Sequence, residues 1–153
     1  MSVLSRIPLS PVGWVALGVL GLGATGAALL LWPRGAAPFS CPLDAALSLP
    51  SGQAAMLCEV LPEPQPFTAD VWLVLRVLVP DLPPADLDGT HADHDWICRD
   101  LGLPRAAAMD APPDRIVVQL MSAPFPRGEA APGIRQSIEA YTIATGSCMW
   151  ELL

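Results

Sequence analysis

Residues His91, His94, Asp95 and Cys98 fall at helical spacing near the middle of the chain. In His91-x-x-His94 two imidazoles share a helix side, and Asp95 follows His91 by one turn, an arrangement that could hold a metal ion. These residues close the densest polar stretch, Asp81–Asp95, which also contains Asp86, Asp88 and Asp93. A calcium loop of the EF-hand type does not fit, because Gly89 is misplaced and no closing glutamate follows. The plainer reading is an acidic helix start, with Thr90 and Asp93 capping its free N–H groups and the macrodipole favouring the carboxylates. His94 and Cys98 are one turn apart, close enough for a thiolate–imidazolium pair unless Cys98 is in a disulfide. A phosphate-binding glycine loop, a nucleophile elbow and a His-Glu-x-x-His motif are all missing from the sequence. Ser51-Gly52-Gln53 reads as a turn, without His or Asp partners to activate Ser51.

The four cysteines, Cys41, Cys58, Cys98 and Cys148, all follow a long apolar run. An even count in a small domain behind an export-type segment reads as two disulfides in an oxidising compartment. Three pairings are possible, and the cysteine positions alone do not choose among them. No Cys-x-x-Cys or Cys/His spacing of a zinc finger or a redox dithiol is present.

The elements that would position these residues follow from periodicity. Gly35–Leu49 is a Pro- and Ala-rich connector. Gln53–Leu61 is a strand with Ala54, Met56, Cys58 and Val60 on one face and Glu59 on the other. Val71–Val79 is the clearest strand. Val71, Leu73, Leu75, Val77 and Val79 make one apolar face, and Trp72, Val74, Arg76 and Leu78 make a second, partly wet one. Arg76 could receive an anion there, although a solvated or locally paired arginine is the plainer expectation. Thr90 and Asp93 predict a helix over His91–Leu101, and Gly102 before Leu103-Pro104 predicts its end. His94, Ile97, Cys98 and Leu101 form its inward stripe, while Asp95 and Arg99 lie on an exposed side. Arg115–Met121, Ile134–Ile143 and Cys148–Leu153 are further strands, the last two joined by a reversal at Ala144–Ser147. The Pro-rich loop Ser122–Gly133, with Phe125 and Arg127, is a connection or a partner contact. The expected fold is α+β: a small antiparallel sheet in the order β-β-α-β-β-β with one packed helix, behind an N-terminal transmembrane helix. In that order Cys98 and Cys148 could staple helix to sheet, leaving Cys41 and Cys58 to tie the connector to the first strand.

Ahead of this domain, the run from Ile7 to Pro33 carries no charge. As a helix Val12–Trp32 would be about 31 Å long, matching a hydrocarbon core of roughly 30 Å. Trp14 and Trp32 stand near its ends, where indoles favour the interface. The apolar core is longer than a cleavable signal's, and Pro38 follows the nearest small-residue site, so an uncleaved anchor is expected. Arg6 and Arg34 flank the run and leave little positive-inside bias; the cysteines favour a domain on the outer side. Gly21 with Thr25, and Gly23 with Ala27, are small-xxx-small pairs that would admit a second helix closely. After Arg34 the chain has six arginines against fifteen acidic residues and no lysine, which argues against nucleic acid and anionic lipid as ligands.

Several short motifs recur together in one known family. They are Ser51-Gly52-Gln53, Trp72-Leu73 with Arg76 and Val79-Pro80, Asp95-Trp96-Ile97-Cys98 and Leu103-Pro104. Arg115-Ile116-Val117-Val118, Glu139-Ala140-Tyr141 and the ending Cys148-Met149-Trp150-Glu151 complete the set. Over residues 51–153 the chain resembles a small, uncharacterised bacterial envelope-protein family, a domain of unknown function with a terminal Cys-x-Trp-Glu motif. The resemblance implies a Cys98–Cys148 core disulfide and brings no activity; Cys41, Cys58 and the long anchor depart from the pattern.

These observations predict residues 1–10 as a short cytoplasmic tail, 11–33 as a transmembrane anchor, 34–50 as a linker and 51–153 as a periplasmic domain. The expected role is a non-catalytic accessory or binding protein of a bacterial inner membrane, with a membrane-protein partner, no nucleic acid and no cofactor. The rival expectation is a metal-dependent or enzymatic module centred on His91, His94 and Asp95. A secreted soluble domain is a third, if the leader is removed.

Overall fold

A computed structural model describes residues 39–84 and 87–151, with Leu87 and Asp88 described by backbone alone. The predicted span 11–33 lies outside those residues. So do the four positions expected to pack against a second helix, namely Gly21, Thr25, Gly23 and Ala27. Among the described residues, no helix is long and apolar enough to cross a membrane.

Six strands form one sheet in sequence order: β1 (Ala45–Ser48), β2 (Ala54–Pro64), β3 (Val71–Leu78), β4 (Arg115–Met121), β5 (Gln136–Ala144) and β6 (Ser147–Glu151). All neighbours are antiparallel except β3 and β4, which run parallel from Trp72/Arg115 to Leu78/Met121. The expectation of a wholly antiparallel sheet is corrected here. A parallel pair needs a long crossover, and the connection between β3 and β4 is the one that carries the helix. Strand β1 lies inside the stretch read as connector. Its Ala-Ala-Leu-Ser sequence has little strand signal, and it is held by pairing with β2 and by the nearby Cys41–Cys58 disulfide.

The predicted face assignment of β2 is corrected by a bulge. Its register against β3 shifts between Leu57, opposite Val77, and Glu59, opposite Arg76. An extra residue reverses the alternation. Leu57 and Val60 therefore both join the core under the helix, while Cys58 packs with the cluster on the other side.

The helical crossover starts earlier and ends later than predicted. It comprises α1 (Leu87–Trp96), a π-helical turn (Ile97–Gly102) and α2 (Leu103–Ala107). Thr90 is not its N-cap but a buried residue of the first turns. Asp93 does not cap either: its carboxylate accepts hydrogen bonds from Ser51 N at 2.9 Å and Ser51 Oγ at 2.7 Å. Nor does Gly102 end the helix. Its φ is −73°, and a β-carbon there would meet Ile116 Cγ2 at 3.0 Å, so glycine serves close packing on β4. Proline in a regular helix collides with the carbonyl four residues back, and the wider π turn ahead of Pro104 relieves that conflict. His94, Ile97 and Cys98 are all buried, as the predicted stripe requires.

The main core lies between helix and sheet, where Leu57, Leu75, Val77, Ile116, Val118, Leu120 and Tyr141 meet Ile97, Cys98 and Ala106. Parts of the opposite sheet face are covered too: Phe39, Cys41, Phe125, Ala131 and Ile134 pack with Cys58 and Met121. Arg76 is sealed there with no exposed surface, so of the two plainer expectations, solvated or locally paired, the second holds. It ion-pairs with Glu59, and Nε donates to Gln119 Oε1 at 3.0 Å. Nη2 donates to the Phe125 carbonyl at 2.5 Å, and the guanidinium stands 4.8 Å from the Phe125 ring centroid. Burial is tolerated because the charge is neutralised and its donors are satisfied.

The disulfides are Cys41–Cys58 and Cys98–Cys148, separated by 17 and 50 residues. Loop closure predicts that Cys98→Ser with Cys148→Ser costs about 4 kcal/mol, and Cys41→Ser with Cys58→Ser about 3 kcal/mol, in urea unfolding. In the same assay Arg76→Met is expected to cost about 3–5 kcal/mol, because it strands Glu59 beside a dry interior. Adding Glu59→Leu should recover part of that loss.

Candidate functional site

The polar cluster with solvent access sits where α1 crosses β5 and β6. Alternation along β5 turns Ser137, Glu139, Tyr141 and Ile143 toward the helix side. Pairing with β6 sets Trp150 opposite Tyr141 and Cys148 opposite Ile143. The Cys98–Cys148 bond closes this corner by joining the π turn to β6.

His91 Nδ1 is 2.8 Å from Glu139 Oε2, and Nε2 is 3.6 Å from Asp95 Oδ2. The Tyr141 hydroxyl donates to the same Glu139 Oε2 at 2.7 Å. The Trp150 ring lies against the imidazole, with centroids 4.6 Å apart. Side-chain exposure runs from 48% at Asp95 and 34% at His91 to 11% at Glu139, so the cluster opens outward and is dry at its base. One ligand atom from each of His91, Asp95 and Glu139 lies within 4.8 Å of the other two. Burial raises the pKa of Tyr141 above the ordinary phenol range, and the hydrogen bond to Glu139 and the Glu139 and Asp95 charges push it further.

His94, expected beside His91 as a ligand, points elsewhere. Its Nδ1 is 2.6 Å from the Thr90 carbonyl and its Nε2 3.3 Å from the Ser137 carbonyl. It ties helix to sheet from inside, with Glu139 Oε1 at 3.8 Å. Cys98 is bonded to Cys148, so a His94–Cys98 nucleophile pair has no thiol. Asp95 faces His91, and Arg99 pairs instead with Asp100 at 2.7 Å. Glu139 escaped the sequence reading as a site residue. Its signal was a carboxylate on the apolar face of a strand, two residues before a tyrosine, but its partner lies 48 residues away.

A second polar network fills the other sheet face. Arg127 pairs with Glu63 at 2.8 Å and also reaches Gln119 Oε1 at 3.3 Å, next to Arg76. The hydrogen bond from Arg127, aided by its charge, holds the Glu63 carboxyl below the usual carboxylate range. Arg76 is engaged by Glu59, Gln119, Met121 and Phe125, so its role here is structural and not anion capture.

The fold and site define a small disulfide-stapled α+β domain with a histidine–carboxylate cluster at its helix–sheet corner. Residues 32–153 match a family of unknown function, DUF6497, and the chain belongs to that family. No curated protein and no solved structure matches it.

Tyr141 is the chain's one tyrosine, so phenolate absorbance reports this site directly. Because folding raises the phenol's pKa, its stabilisation is full below the unfolded value of about 10 and is lost as pH rises beyond it. Phenolate should therefore stay absent through the ordinary range and emerge together with loss of near-ultraviolet dichroism. Glu139→Gln should bring the transition to lower pH.

Proposed function

We propose that this chain is a non-catalytic accessory or binding protein of a bacterial inner membrane, anchored by residues 11–33 with residues 51–153 in the periplasm. The observation that carries the reading is the use of all four cysteines in two disulfides, with no thiol left over. Such bonds persist in oxidising compartments, and they follow an uncharged run of bilayer length. Cys41 lies within the connector and Cys58 on β2, so their bond ties the approach from the membrane to the sheet.

A binding role draws support from the β2–β3 hairpin. Phe67 at its tip is fully exposed and holds a φ of 67°. The left-handed region costs an aromatic residue about 1–2 kcal/mol. Pro62, Pro64 and Pro66 stiffen the approach, and Gln65 N donates to Asp70 O at 2.9 Å across the neck. A rigidly presented, desolvatable aromatic is the residue type that anchors protein interfaces. The partner in this reading is another membrane protein with an apolar pocket facing the periplasm.

A reporter fused after Leu153 should be active only outside the cytoplasm; activity only on the cytoplasmic side overturns the topology. Mass measurement of the mature chain separates an anchored protein from a secreted one. Phe67→Gly should stabilise the domain by about 1 kcal/mol in urea unfolding while depleting partners recovered from mild detergent. Unchanged recovery overturns the hairpin's role.

A further inference from the structure

We propose that His91, Asp95 and Glu139 bind one divalent transition metal of the zinc type, leaving at least one coordination position open to solvent. This goes beyond the tethering role, and either reading can fail without the other.

The donor set is one imidazole nitrogen and two carboxylates, all within 4.8 Å of one another. Imidazole with carboxylates suits zinc and its neighbours, whereas magnesium and calcium prefer oxygen alone and copper(I) prefers sulfur. Two ligands come from one helix face, four residues apart, and the third from β5. Tyr141 of β5 joins the core under that helix, and the neighbouring β6 is bonded to the π turn through Cys98–Cys148. In the structure the site is closed by hydrogen bonding, with His91 Nδ1 and Glu139 Oε2 at 2.8 Å. Two ligands of a tetrahedral zinc with bonds near 2.0–2.1 Å sit about 3.3 Å apart. Loading thus requires the metal to replace a proton and the pair to open by about half an ångström. Asp95, near the other ring nitrogen at 3.6 Å, joins by rotating its half-exposed side chain.

The surroundings favour that exchange. A dication balances two carboxylates beside a neutral imidazole. The Tyr141 hydroxyl, 2.7 Å from Glu139 Oε2, orients that carboxylate from behind, and the Trp150 ring lies against His91. Such outer-sphere partners fix ligand geometry before the metal arrives. A cleft of about 280 Å³ lined by Asp95, Arg99 and Ser147 adjoins the site and provides an entry path and room for water.

The test uses the full chain in mild detergent, stripped with a chelator and titrated with Zn²⁺ by calorimetry, with bound metal counted by elemental analysis. The expected result is one zinc per chain, not displaced by excess Mg²⁺. Asp95→Asn and His91→Gln should each weaken binding by about tenfold or more, and Tyr141→Phe by about tenfold. Near-ultraviolet dichroism and the lack of free thiols check that each variant is folded. Asp95→Asn is isosteric and partly exposed, so it keeps the test valid should another variant unfold. No bound zinc overturns the proposal. So does zinc that Mg²⁺ displaces, or zinc held equally well by Asp95→Asn and His91→Gln.

Discussion

Everything on the helix side of this domain depends on docking one interrupted helix against the sheet. The helix crosses β4, β5 and β6, and its own sequence is rich in polar and charged residues. Hydrophobic burial from Ile97, Cys98 and Ala106 supplies part of the attachment. The rest is specific: the Cys98–Cys148 bond, the Asp93 carboxylate on Ser51, and His94 between the carbonyls of Thr90 and Ser137. Gly102 lets the backbone approach Ile116 closely enough for these ties to form. Where apolar area is limited in a small domain, covalent and directional contacts set the helix position that nonspecific burial leaves loose.

The sheet separates two polar systems with different fates. Behind it, Arg76 is buried with Glu59 and Gln119, roofed by Phe39 and Phe125. That network is closed, and its cost is offset by complete pairing. In front of it, Glu139 shares one oxygen between Tyr141 and His91, while Asp95 remains half exposed. That network is open. An arginine cannot give up its proton to a metal, whereas an imidazole can, and among the described residues it is the second system that gathers three ligand groups. The same physical rule, that buried charge must be matched, produces a structural lock on one side and a candidate site on the other.

The binding reading and the metal reading use different parts of the molecule. Phe67 projects from the turn between the interior strands β2 and β3, and the histidine–carboxylate cluster lies toward the β6 edge, where α1 meets β5 and β6. Membership of DUF6497 spans the whole described domain, so both features belong to the part of the chain the family shares. Neither disulfide includes a residue of the cluster. Yet Cys148 stands two residues before Trp150 on β6, and Cys98 lies three residues beyond Asp95. Covalent staple and polar site are thus neighbours, and rigidity of the first becomes preorganisation of the second.

By itself the sequence determined what is local. Alternating apolar residues specified β3 and β4, Thr145-Gly146 specified the final hairpin, and the His94–Ile97–Cys98 stripe specified the inward helix face. The uncharged leader and the even cysteine count also speak from the chain alone. Tertiary structure decided the rest, because the deciding contacts join residues far apart. The bulge at Cys58 reversed a strand's faces, β1 formed only by pairing, and β4 lay parallel to β3 because the helix occupied their connection. Glu139 entered the cluster from a strand whose pattern gives no hint of which helix residue it will meet. Gly102 and Pro104 carry a local signal to stop, and the helix overrides it because packing on Ile116 rewards continuation. Local propensity acts over a few residues and is worth about a kilocalorie, whereas burial against a sheet sums over many contacts, so the tertiary term wins wherever the two disagree.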